Sequence, residues 1–114
     1  MSNAWTSNQP TSFAPVVGEV PRALVLGSIP GVASLRQGQY YGHPRNQFWP
    51  IMAKAGQWPE GLTYERKITA LTSMGIALWD VLGRCHRPGS LDSAIDPKSA
   101  EPNAINELID EHEI

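Results

Sequence analysis

The chain has 114 residues, including ten glycines and ten prolines, and is 41% apolar and 18% charged. That length holds one domain with a modest core, and the composition excludes a collagen, a coiled coil and a fully disordered polymer. The net charge of −2 is a sum of opposites: Val20 to Pro59 contains no acid beside Arg22, Arg36, Arg45 and Lys54, whereas Asp92 to Ile114 contains seven acids and one lysine, so only the first stretch suits a phosphate partner.

Residues 1–21, rich in Ser, Asn, Thr, Pro and Ala, predict a flexible lead-in, with ordered structure starting near Arg22. Ala23-Leu24-Val25-Leu26 is a continuous apolar run closed by Gly27, the pattern of a strand buried on both faces of a parallel sheet. Gly27 to Asn46 is rich in Gly and Pro and predicts a long loop, a length that compact domains reserve for function. Asn46 is placed to cap a helix through Ala55, with Pro50 in its first turn and Gly56 as its end. Thr63 caps a second helix to Met74, with Ile68, Leu71 and Met74 inward and Gly75 as the stop. Ile76 to Leu82 predicts a second buried strand, and Gly83 to Pro102 mostly loop. Ile105, Leu108, Ile109 and His112 give a last helix its i, i+3, i+4, i+7 face, and the acids of 107–113 its solvated side.

Strand, helices, strand, loop, helix is an α/β order, and crossovers of this kind make the sheet parallel. Two strands do not make a viable open sheet, and the last helix ends where another strand is due. The expectation is therefore the N-terminal portion, over 22–114, of one longer domain truncated on its C-terminal side. Cys85 is the single cysteine, which excludes a disulfide framework and thiolate metal sites and fits a reducing cytoplasm. Cys85 and His86 adjoin, but no further ligands join them, so no metal is expected. No apolar run approaches ~18 residues, so no membrane partner is expected.

Gly27-Ser28-Ile29-Pro30-Gly31 follows the first strand, where open α/β sheets bind ligands. It is neither a dinucleotide fingerprint nor a P-loop, and alone it is equally a tight turn. Gln39 to Trp49 gathers two tyrosines, a histidine, an arginine and an asparagine, a mix that suits a base stacked beside phosphates. Each also has a plainer role. Asn46 can be only a helix cap, His43 a structural hydrogen-bonding group, and Arg36 and Arg45 solvated charges. Tyr40 is assigned to packing and Tyr41 to stacking. Phe48, Trp49 and Trp79 are assigned to the core, and Asp80 to a strand end near the pocket.

Together, Gly-Ser-Ile-Pro-Gly at 27–31, Ser34-Leu35, and Gln-Tyr-Tyr-Gly-His-Pro-Arg-Asn-Gln-Phe-Trp at 39–49 resemble the first motif block of the uracil-DNA glycosylase superfamily. The likeness is greatest to its hypoxanthine (deoxyinosine) and mismatch-specific uracil/thymine branch, with Leu78 to Leu82 and Gly89 to Ser93 in support. The resemblance implies a three-layer αβα fold around a central parallel sheet, and a DNA repair enzyme that flips a deaminated base from DNA and hydrolyses its N-glycosidic bond without metal or organic cofactor. It places Ser28, Ile29 and Tyr41 around the base, with Tyr41 stacking on it, and Pro30, Gly31 and Arg45 near DNA phosphate. Many members carry Asp, Asn or Glu at the position of Ile29 to position the attacking water. The hypoxanthine type lacks that group, and Asn46 is its natural replacement, with His43 beside it. A second, Ser/Pro-rich motif of the family has no counterpart before Ile114. Two other readings follow from these departures: a catalytically silent nucleic-acid binder using the same pocket, and an association-prone inactive fragment.

Overall fold

The computed structural model of the protein describes residues 8–114. Strand β1 (Ala23–Gly27) pairs in parallel with β2 (Ile76–Asp80), in a register running from Ala23 opposite Ile76 to Gly27 opposite Asp80. The crossover between them carries three helices: α1 (Val32–Gln37), α2 (Phe48–Gly56) and α3 (Tyr64–Ser73). Helix α2 packs on α3, and α3 packs on β2. After β2 come a short antiparallel pair, β3 (Leu82–Arg84) with β4 (Glu101–Pro102), two single 3-10 turns between them, and α4 (Ile105–His112). The α/β class with a parallel sheet, expected from the element order, is the observed one.

Local chemistry explains the helix limits. Thr63 Oγ1 accepts from the Arg66 N–H and starts α3 as expected, and Gly75, at φ 80°, takes the left-handed turn into β2. The first residue before α2 is Gln47 rather than Asn46, yet Asn46 Oδ1 still accepts from the Phe48 N–H at 2.8 Å and so caps from one residue further out. Gly56 lies inside α2 and Gln57 ends it in the left-handed region. A side chain at 56 would run into the Trp58 indole, which accounts for the glycine there.

Four expectations are corrected. The loop from Gly27 to Asn46 contains α1, a six-residue helix whose Ser34 and Leu35 are buried and whose end is the left-handed Gly38. The strand expected over 76–82 breaks at Val81, and the region 83–102 forms β3, β4 and two turns instead of open loop. Strand β1 is not buried on both faces, since Leu26 is 41% exposed.

The fourth correction concerns the lead-in. Residues 1–7 lie outside the described residues, but packing begins well before Arg22. Pro10 is fully buried, Thr11 bridges Arg84, and Val16 exchanges both backbone hydrogen bonds with Leu78 at 2.9 Å. A segment of small and polar residues is held here by main-chain bonds to β2 and β3, which composition does not register.

The core is Tyr40, Trp49, Leu71 and Leu78, with Phe13, Val16, Val25, Phe48 and Ile68 packed against it. Trp49 donates through Nε1 to the Tyr40 carbonyl at 2.8 Å and meets Phe48 and Tyr64 edge to face. No helix among the described residues is long and apolar enough to cross a membrane.

Candidate active site

Gly27 and Asp80 end the two parallel strands side by side, and a cleft of about 490 Å³ opens beyond them. The carboxyl end of a parallel sheet is where such folds take ligands. One wall is the run from Leu26 to Ser34. The others are Phe13, Tyr40, Tyr41, His43, Asn46, Asp80, Ser90 and Asp92. Ser28, Ile29, Pro30, Gly31, Tyr41, His43 and Asn46 thus come together on one cleft. Arg45 does not line it and projects, exposed, from the turn between His43 and Asn46.

Gly27 lets the two strand ends close up, because a Cβ there would stand 2.5 Å from Asp80 Oδ1. The Ser28 hydroxyl donates to Asp92 Oδ1 at 2.8 Å, and Ser90 Oγ accepts from the Val32 N–H at 2.9 Å. Arg87 fastens the same two loops from beneath. It is 1% exposed, with Nε donating to the Gly89 carbonyl and Nη2 to the Pro30 carbonyl, both at 2.8 Å.

Tyr41 has a φ of 54°, a left-handed conformation uncommon for a bulky residue and one that clusters at functional sites. Its ring stacks on Phe48, centroids 4.2 Å apart and planes 29° apart, so the cleft wall is backed by a second aromatic layer. Tyr40 does the packing expected of it: it is buried, and its hydroxyl donates to the Ala14 carbonyl at 2.8 Å. Burial first, and then the nearby Asp80, push the Tyr41 phenol above its ordinary pKa, so it stays a neutral donor.

His43 Nδ1 accepts from the Arg45 N–H at 3.0 Å, which assigns the proton of the neutral ring to Nε2 and makes it a donor. Asn46 Oδ1 is engaged by Phe48, leaving the amide NH₂ to donate. Asp80 is 4% exposed, and its Oδ2 has no hydrogen-bond partner among the described residues. Burial, followed by the charge of Asp92, raises its carboxyl to about 6. The sequence places Asp80 at a strand end near the pocket, with catalytic involvement only as its lesser reading. Ser90 and Asp92 were legible only through the Gly89 to Ser93 resemblance, and Phe13 not at all.

No protein-family model matches the chain. It is 39% identical over 99 residues to the hypoxanthine DNA glycosylase of Methanosarcina barkeri, covering 86% of this chain and 61% of that protein. It is 37% identical over 99 residues to the hypoxanthine DNA glycosylase of Methanosarcina acetivorans, covering 85% and 63%. Its fold is similar, with a TM-score of 0.76 and 35% identity, to the solution NMR structure of a candidate uracil DNA glycosylase from Methanosarcina acetivorans, over 90% of this chain and 63% of that one. The chain thus spans a little over three fifths of the length of these relatives. In sequence and in fold the chain is thus similar to DNA glycosylases named for hypoxanthine and for uracil. Both curated relatives carry the name hypoxanthine DNA glycosylase.

Proposed function

We propose that the protein is a DNA repair glycosylase, or the N-terminal portion of its domain, that hydrolyses the N-glycosidic bond of a deaminated base, hypoxanthine or uracil, flipped out of DNA. The observation that carries this is the convergence of the 27–31 and 40–46 segments on one cleft at the carboxyl end of the sheet. The cleft volume of about 490 Å³ lies within the usual range for small-molecule sites.

Breaking the bond between a base and deoxyribose builds positive charge on the sugar and negative charge on the base, so the protein's work is positioning and electrostatics. Tyr41, braced by Phe48, offers the stacking face. His43 Nε2–H and the neutral Tyr41 hydroxyl are donors for the departing base. The Asn46 NH₂ donates to the attacking water and holds it beside the sugar. Pro30 and Gly31 at the cleft wall, with Arg45 outside it, receive the target-strand phosphates.

Incubation with inosine- or uracil-containing oligonucleotides followed by alkali is expected to cleave the strand at the modified base. Intact strands with both substrates would overturn the reading. Ile29, buried and apolar, favours the second reading, a silent nucleic-acid binder, and binding of such DNA without base release is its signature. The stacking role has its own outcome: Tyr41→Ala is expected to weaken binding of inosine-containing DNA by about 10- to 100-fold, the worth of one base–aromatic stack, in a fluorescence-anisotropy titration. An unchanged affinity would assign the stack to another ring.

A further inference from the structure

We infer that Asp80 is the hydrogen-bond acceptor for the attacking water, supplied from β2 because the turn after β1 offers Ile29 in its place; this rests on the glycosylase reading above. A nucleophilic water must give a proton to an acceptor while its oxygen faces the sugar carbon. Asn46 cannot readily be that acceptor, since its side-chain oxygen is already occupied by the Phe48 N–H. Asp92 is exposed and already accepts from the Ser28 hydroxyl. Asp80 is the opposite case: its side chain lines the cleft, is 4% exposed, and keeps Oδ2 without a partner. A buried carboxylate oxygen with neither solvent nor donor calls for an occupant, and a water entering through the cleft fits that need.

The register explains how the acid reaches the site. Asp80 stands opposite Gly27, one residue before the Ser28-Ile29 pair, so the neighbouring strand end delivers a carboxylate to the same end of the sheet. Its backbone carbonyl accepts from Asn103 Nδ2 at 2.8 Å, which fixes the strand end, while Oδ2 is buried and unpartnered among the described residues. In the reaction the water oxygen bonds to C1′ and the C1′–N bond breaks with its electron pair going to the base. The water proton moves to Asp80 Oδ2 and from there to the released base or solvent.

The titratable groups around Asp80 are Asp92 from the loop after β3, Tyr40 and Tyr41 from the loop before α2, and His43 on the same cleft wall. Burial first, and then the charge of Asp92, favour the protonated acid, and the base form appears above about pH 6. Single-turnover excision from inosine-containing DNA is therefore expected to rise through about pH 6 in the unaltered protein. Asp80→Asn is expected to lower the rate by about 100-fold or more and to abolish that limb.

A binding arm needs no turnover. Oligonucleotides carrying a cationic pyrrolidine abasic analogue, which mimics the sugar cation, are expected to bind about tenfold more tightly than the neutral tetrahydrofuran analogue above that pH. Asp80→Asn is expected to equalise the two. Excision or binding that is present but indifferent to Asp80→Asn, or a flat pH profile of the unaltered protein, overturns the inference and leaves the glycosylase reading standing. Failure both to excise and to bind either analogue overturns that reading and the inference with it.

Discussion

Arg87→Ala is expected to destabilise the protein by about 3–5 kcal/mol, read from urea unfolding followed by tryptophan fluorescence. Arg87 is among the largest fully buried side chains of the molecule, so truncation leaves a cavity. It also strips the Pro30 and Gly89 carbonyls of their donors, and these sit on the two loops that close the cleft. Lysine does not rescue it, because a single ammonium lacks the planar fork that spans both carbonyls. Methionine is the informative replacement: it fills most of the volume and removes a buried cation whose Nη1 has no partner. It is expected to recover part of the stability and none of the loop clamp. A loss below about 1 kcal/mol for Arg87→Ala would show that the clamp is dispensable.

Asn46→Ala is expected to reduce excision by about 100-fold or more while lowering stability by only about 1 kcal/mol. Two roles meet in this side chain, and they are separable. The cap role belongs to Oδ1, which serves the Phe48 N–H, and the water-holding role belongs to the NH₂. Asn46→Ser keeps an acceptor for the cap and lacks the amide donor, so it should restore stability without restoring rate. A serine variant with full activity would reduce Asn46 to a helix cap. The comparison requires thermal melting and single-turnover excision on the same three proteins.

Much of the fold is local and was legible. The Ala23–Gly27 run, Thr63 with its helix, and the Ile105–His112 face each carry their own periodicity and punctuation. Helix α1 escaped because its six residues lie among glycines and prolines and are fixed by distant partners, such as Ser90 accepting from Val32. The segment from Asn8 to Val16 escaped for a related reason: its backbone-to-backbone hydrogen bonds run to residues more than 60 positions away. The cleft divides the same way. Ser28, Tyr41, His43 and Asn46 form one recognisable stretch, so sequence gathered them. Asp80 lies on the other strand, and only the β1–β2 register shows that its carboxylate reaches the same end of the sheet.

The bridge between Val16 and Leu78 has a consequence for how this sheet can grow. It occupies the flank of β2 that faces away from β1, and it runs antiparallel, so that side is sealed at mid-strand by the chain's own preceding segment. Among the described residues β1 pairs only with β2. Any additional strand therefore has a single berth, alongside β1, which would become central and have Leu26 covered. The Gly27 to Gly31 turn would then stand at the middle of the widened sheet rather than at its margin, with new loops rising on the side of the cleft opposite Asp80.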